Sequence, residues 1–85
     1  MAQPRFYMRL NEAVALRLQE LCSERRITIH GLNLITGVSY STLYNAAVGK
    51  TMAIRMHTIE NICFGLNISI SDFFKSEYFT QYLDL

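Results

Sequence analysis

The sequence predicts an all-α protein, a compact bundle of five short helices. Of its 85 residues, 51% are hydrophobic and only 18% are charged, so the chain can bury a single small core. Apolar residues recur at the three- and four-residue spacing of amphipathic helices. Ser, Thr, Asn and Gly residues stand where such helices would begin or end.

The helical domain is predicted to span residues 10–75, after an N-terminal arm at 1–9. Apolar and polar residues alternate from Phe6 to Leu10, which suits a short strand or an extended segment. Asn11 is predicted to cap the first helix, which should end near Arg26. Its buried face is predicted to carry Val14, Leu18, Leu21 and Cys22.

Two further helices, joined at a tight corner, are predicted within residues 29–50. Thr28 and Ser39 are suited to cap them, and Gly37 is suited to end the first. Where the two helices cross, the residues predicted to be buried are Leu32, Ile35, Val38, Leu43 and Ala46. The helix that follows the corner has Tyr40, Ser41, Tyr44 and Asn45 facing outward. Hydroxyl, carboxamide and aromatic groups, in place of Lys and Glu, favour a surface that bonds to a partner.

This segment resembles the helix-turn-helix of the Cro and phage-repressor family, whose fold is lambda-repressor-like. The matching residues, in order, are the corner Gly37, Val38 and Ser39, the helix residues Ser41, Thr42 and Leu43, and the closing Gly49 and Lys50. The resemblance covers roughly residues 10–75. It implies a sequence-specific regulator of prokaryotic or phage origin that binds double-stranded DNA as a repressor-like dimer, with the helix at 40–48 in the major groove.

The resemblance also implies which residues touch DNA. The positions that match base contacts are Tyr40, Ser41 and Asn45, and those that match backbone contacts are Thr42, Tyr44, Lys50, Thr51 and Arg55. The other expected backbone contacts, at the starts of the helices, are Thr28, His30 and Ser39. Asn can bond an adenine edge, and a tyrosine ring can pack on a thymine methyl group. Since the helix at 40–48 has no Arg or Gln to read guanine, an A/T-leaning half-site is expected.

Four positions depart from the family pattern, two of them as a pair. Ile29 replaces the usual Gln at the start of the second helix, so that DNA contact is not carried over. Asn33 replaces a small residue, and its amide must be hydrogen-bonded or partly exposed. Cys22 and Ala47 together replace a frequent Arg–Glu ion pair, and losing both partners avoids stranding a buried charge.

The fourth helix is predicted to start near Arg55, and the fifth follows it closely. The buried face of the fourth helix is expected to carry Met56, Ile59, Ile62, Cys63 and Leu66. Asn67 is suited to end it in the left-handed conformation, and Ser69 is suited to cap the fifth helix.

The C-terminal tail, 76–85, is rich in large apolar side chains. These residues either fold back over the first and fifth helices or form a dimer interface. The dimer is favoured, and its expected interface residues are Phe6, Tyr78, Phe79, Tyr82 and Leu83.

Charge distribution supports DNA as the partner. The net charge is only +1, but residues 25–59 carry four basic residues and no acidic one. The alternative is a helix-turn-helix module for protein contact, antitoxin-like or an adaptor, with weak or no DNA binding. Ile29 and the low overall charge favour that alternative.

Other functional classes lack support in the sequence. His30 and His57 have no neighbours that suggest a catalytic set, so an enzyme is not expected. Cys22 and Cys63 lack metal-ligand spacing and are expected to be buried reduced thiols, and neither a cofactor nor a small-molecule ligand is expected. No apolar run is long enough to span a bilayer, which favours a soluble cytoplasmic protein.

Overall fold

The computed structural model describes residues 9–51 and 53–79, which form helices joined by short connections. The helices are α1 (Leu10–Arg25), α2 (Ile29–Thr36), α3 (Tyr40–Ala47), α4 (Met56–Leu66) and α5 (Ile70–Phe74). Residues 77–79 form a further helical turn, and the described residues contain no strand. The predicted all-α fold is confirmed. The predicted N-terminal strand or arm lies almost wholly outside the described residues.

Most of the predicted helix ends are confirmed. The hydroxyl of Thr28 accepts a hydrogen bond from the Gly31 N–H at 3.0 Å, and Ser69 accepts one from the Asp72 N–H at 2.9 Å. Such side-chain acceptors satisfy amide groups that have no partner within the helix. Asn67 ends α4 in the left-handed region, with φ of 57°.

The prediction that Asn11 caps α1 is wrong. The helix begins at Leu10, and Arg9 is the capping residue, whose N–H donates to the Glu12 carboxylate at 3.0 Å. Asn11 therefore lies inside the first turn. Its side chain donates instead to the Gly49 carbonyl at 2.8 Å, and this bond joins the start of α1 to the end of α3.

The core draws side chains from all five helices and from the segment after α5. Its largest fully buried residues are Leu18, Leu32, Leu43, Ile59, Ile62, Leu66, Phe73 and Phe79. The predicted burial of Val14, Leu21 and Ala46 is also confirmed, and Val38 packs against the core while partly exposed.

Two residues predicted to be buried are exposed. Ile35 is 48% exposed, because α2 packs on α4 through the neighbouring Thr36, which lies against Gly65. Met56, the first residue of α4, is 61% exposed, because the first turn buries Thr58 and Ile59 instead.

The first residues of the C-terminal tail fold back onto the domain. Phe79 is 1% exposed, and its ring centroid lies 4.8 Å from that of Phe74 and 6.0 Å from that of Phe73. Phe79 is therefore a core residue of its own chain, as the fold-back alternative expects, and Tyr78 packs beside it partly exposed. The other expected interface residues, Phe6, Tyr82 and Leu83, lie outside the described residues.

Cys22 and Ala47, the positions of the family's ion pair, are both buried in the apolar core. The predicted free, buried thiols are confirmed, and burial raises the pKa of both Cys22 and Cys63. The buried cation of this domain is Arg17, which is 9% exposed and binds the end of α5. An internal charge is thus present, but at a different place from that of the family pair.

Candidate nucleic-acid interface

The corner between α2 and α3 is fixed by hydrogen bonds that involve both of its sides. Gly37 ends α2 with φ of 76°, a left-handed conformation that glycine adopts without strain. The Asn33 side chain donates to the Val38 carbonyl at 2.7 Å, and the Thr36 hydroxyl accepts from the Val38 N–H at 3.2 Å. The amide of Asn33 is therefore hydrogen-bonded, as its position requires. These bonds set the angle at which α3 leaves the corner.

Helix α3 is held at both ends. Ser39 caps its start, and its hydroxyl accepts from the Thr42 N–H at 3.3 Å. At its end, the Gln19 side chain donates to the Ala47 carbonyl at 2.6 Å, next to the bond from Asn11 to Gly49. An eight-residue helix is marginal on its own, so these contacts and its buried face maintain it.

The outer face of α3 carries the polar and aromatic residues that the sequence predicted there. Tyr40, Ser41, Tyr44 and Asn45 are all exposed, while Leu43, Ala46 and Ala47 face the core. The rings of Tyr40 and Tyr44 are stacked, with centroids 6.0 Å apart and planes inclined by 15°. The exposed face thus has an aromatic ridge beside a hydrogen-bonding ridge formed by Ser41 and Asn45.

A groove of about 440 Å³ runs beside the hydrogen-bonding ridge. One wall belongs to α3, and the other belongs to the loop after α3 and to the first turns of α4. Its lining residues are Ser41, Thr42, Asn45, Thr51, Ala53, Ile54, Arg55, His57 and Thr58. Five residues predicted to contact DNA, from two separate parts of the chain, are therefore brought together: Ser41, Thr42, Asn45, Thr51 and Arg55. None of these lining residues, which all belong to the described part of the chain, is acidic.

The remaining predicted contacts surround this groove or lie apart from it. Lys50 is exposed on the loop that leads to it. Thr28 and His30 are exposed at the start of α2, where they do not line the groove. Ser39 is exposed at the corner, but its O–H donates to the Thr42 hydroxyl at 2.8 Å, so both hydroxyls already have a partner.

Sequence reasoning did not identify two of the polar groove residues, His57 and Thr58. Thr58 lines the groove although it is only 8% exposed, and His57 is exposed in the first turn of α4. Their closeness to Arg55 along the chain was visible in the sequence. However, only the path of the loop places them opposite α3.

Other features of the described residues are structural. Arg25 donates to the Leu66 carbonyl at 2.7 Å and so binds the end of α4. Among residues 9–51 and 53–79, no group of three or more His, Cys, Asp or Glu side chains could hold a metal ion. None of the helices in the described ranges has the length and apolar character needed to cross a membrane.

The fold and this surface together define a helix-turn-helix DNA-binding domain. Residues 17–77, more than two thirds of the chain, match the family model of the Cro/C1-type helix-turn-helix DNA-binding domain. The chain belongs to this family. The comparisons with curated proteins and with solved structures gave no match.

Proposed function

We propose that the protein is a sequence-specific transcriptional regulator that binds double-stranded DNA as a repressor-like dimer. The observation that carries this proposal is the groove beside α3, which joins an exposed hydrogen-bonding helix face to a basic loop. A surface for sequence recognition needs both parts, since base contacts specify and phosphate contacts position.

Helix α3 has the dimensions and the chemistry of a base-reading helix. An α-helix with its side chains is about 10–12 Å in diameter, so α3 fits the major groove, which is about 12 Å wide. Tyr40, Ser41 and Asn45 are the proposed base contacts. The carboxamide of Asn45 can bond an adenine edge at two atoms, and Ser41 can donate or accept.

Phosphate contacts are proposed on both sides of α3. Lys50 and Arg55 are exposed cations beside the groove, and Thr51 adds a hydroxyl within it. At the start of α2, Thr28 and His30 lie beside backbone N–H groups that favour anions. The remaining proposed backbone contacts are Ser39, Thr42 and Tyr44.

A two-fold dimer would extend the recognition. One short helix contacts few base pairs, whereas two helices about one DNA turn apart read a longer palindromic site. Because Phe79 is buried in its own chain, the proposed interface rests on Tyr78, Tyr82, Leu83 and the N-terminal Phe6.

The experiment is a titration of fluorescent random-sequence duplex DNA with the purified protein at several salt concentrations. Binding should weaken steeply as salt rises, because phosphate neutralisation releases counterions. After selection of a preferred sequence, Asn45→Ala should weaken binding to that sequence by about 1–3 kcal/mol. Lys50→Ala should weaken binding to all sequences and reduce the salt slope. Equal losses on all sequences for both variants would contradict the assignment of α3 as the reading helix.

Exposed apolar residues support a second candidate, a module that binds another protein. Leu34 is 73% exposed on α2, and Phe64 is 86% exposed on α4. The residues next to them, Ile35 and Gly65, meet where α2 packs on α4. Absence of DNA binding even at low salt, together with weaker partner capture by a Phe64→Ser variant, would favour this candidate.

A further inference from the structure

We propose that Tyr40 and Tyr44 act as one aromatic unit that recognises the C5-methyl group of thymine in the major groove. The inference rests on the proposed function, because it specifies how the same helix would read DNA. It differs from the family-based expectation for Tyr44, which placed that residue at the DNA backbone.

The hydrogen-bonding capacity of α3 is small. Its sequence, YSTLYNAA, contains no Arg, Lys, Gln or Glu, so Asn45 is the residue able to bond a base edge at two atoms. The Thr42 hydroxyl already accepts a hydrogen bond from Ser39 at 2.8 Å. Beyond Asn45, α3 can offer bases only single hydroxyls, such as that of Ser41, so an apolar contact would add discrimination that these hydrogen bonds do not supply.

The stacked tyrosines offer an apolar contact that is held in place before DNA binds. Tyr40 and Tyr44 are 49% and 43% exposed, so both rings are accessible to a partner. Their planes are within 15° of parallel at a centroid distance of 6.0 Å, within the range of offset-stacked aromatic pairs. The stacked arrangement thus presents the two rings as one contact surface.

The methyl group of thymine is the matching target. In the major groove, thymine presents one acceptor, O4, and the C5-methyl group, which is the only apolar group among the base edges. The 6.0 Å between the rings is close to two base steps of about 3.4 Å. Two thymines on one strand would thus fall within reach of the pair when α3 lies along the groove.

The test replaces thymine by deoxyuridine in the selected duplex. Uracil pairs with adenine in the same way and lacks only the methyl group, so the hydrogen-bonding edge is unchanged. Binding should weaken about fourfold for each contacted thymine, from the burial of one methyl group. Where a cytosine of the selected duplex falls next to a contacted thymine, its replacement by 5-methylcytosine should strengthen binding by a similar factor.

Protein variants connect this effect to the two rings. In the double variant Tyr40→Ser, Tyr44→Ser, thymine and uracil duplexes should bind equally. In the matched control Tyr40→Phe, Tyr44→Phe, which keeps both rings, the difference between the duplexes should remain. Thermal unfolding of each variant checks that the domain still folds. The comparison of thymine and uracil duplexes with the wild-type protein tests the proposal even if a variant fails to fold.

Each outcome has a distinct meaning. Equal binding of thymine and uracil duplexes by the wild-type protein, or an unchanged preference in the serine variant, would overturn the methyl readout while leaving DNA binding intact. A selected sequence without thymine would also overturn it. Absence of binding to any duplex at low salt would overturn the proposed function, and the methyl readout with it.

Discussion

Arg17 joins the middle of α1 to the end of α5, and its replacement by Met should strongly destabilise the domain. Its Nε donates to the Phe73 carbonyl and its Nη2 to the Asp72 carbonyl, both at 2.7 Å. Its Nη1 forms an ion pair with Glu20 at 2.6 Å. The guanidinium therefore binds two backbone carbonyls at the end of α5, and that of Asp72 also accepts from the Lys75 N–H at 3.3 Å.

The magnitude follows from the two carbonyl bonds. Hydrogen bonds to charged groups contribute about 1.5–3 kcal/mol each, and a buried acceptor left without a partner costs about 1–3 kcal/mol. Methionine fills most of the space but donates nothing, and the Asp72 carbonyl keeps its bond from the Lys75 N–H, so a loss of about 2–4 kcal/mol is expected. A domain of this size has a free energy of unfolding of only about 4–13 kcal/mol. The variant should therefore lose a large fraction of its free energy of unfolding at 25 °C.

The assay is urea unfolding followed by circular dichroism, with two matched variants. Glu20→Gln removes only the ion pair, whose Glu20 side chain is 36% exposed, and should cost less than about 1 kcal/mol. Arg17→Lys keeps the charge but cannot reach both carbonyls as a planar fork does, so an intermediate loss is expected. A change below about 1 kcal/mol for Arg17→Met would refute the reasoning that Arg17 holds α5.

Two further predictions concern α2–α4 packing and the buried thiols. Gly65→Ala should destabilise the domain by about 1–3 kcal/mol, since the new Cβ would lie 2.7 Å from Thr36 Cγ2 and 3.0 Å from its Cα. Its control, Gly31→Ala in α2, meets only ordinary contacts from 3.4 Å and should be neutral or stabilising by up to about 1 kcal/mol in the same urea assay. Burial raises the pKa of Cys22 and Cys63, although the charge of Arg17 lowers that of Cys63 in part. The unfolded chain therefore loses these protons first, and the free energy of unfolding should fall as pH rises above the ordinary thiol value of 9.0. A double Cys→Ala variant with an undiminished slope in urea unfolding between pH 8 and about 10 would contradict this assignment.

Features of the fold that depend on neighbouring residues could be predicted from the sequence. Thr28, Ser39 and Ser69 cap their helices through hydroxyls three residues before the amide they accept from, so the signal is local. Arg17 could not be assigned in this way. Its carbonyl partners at the end of α5 lie 55 and 56 residues away, and nothing near Arg17 in the sequence indicates them.

The candidate site likewise has one part that the local sequence predicts and one part that only the structure shows. The exposed face of α3 follows from helical periodicity once its cap is placed, and all four residues predicted to face outward do so. The groove depends on the loop after Gly49, which has no turn motif that fixes its path. The positions of His57 and Thr58 opposite α3 therefore required the structure. Ile35 shows the limit of periodicity itself, because a short helix buries only the face that its neighbours cover.

The contacts that maintain α3 are separated from the face that would read DNA. Three side-chain bonds reach its flanking backbone from elsewhere, from Asn11, Gln19 and Asn33, and none of them uses an exposed residue of α3. Its inner face is fixed by Leu43, whose side chain is fully buried. Substitutions on the outer face should therefore change the preferred DNA sequence with little effect on the free energy of unfolding. Substitutions at Asn11 or Gln19 should do the reverse, lowering stability and weakening binding to all sequences alike.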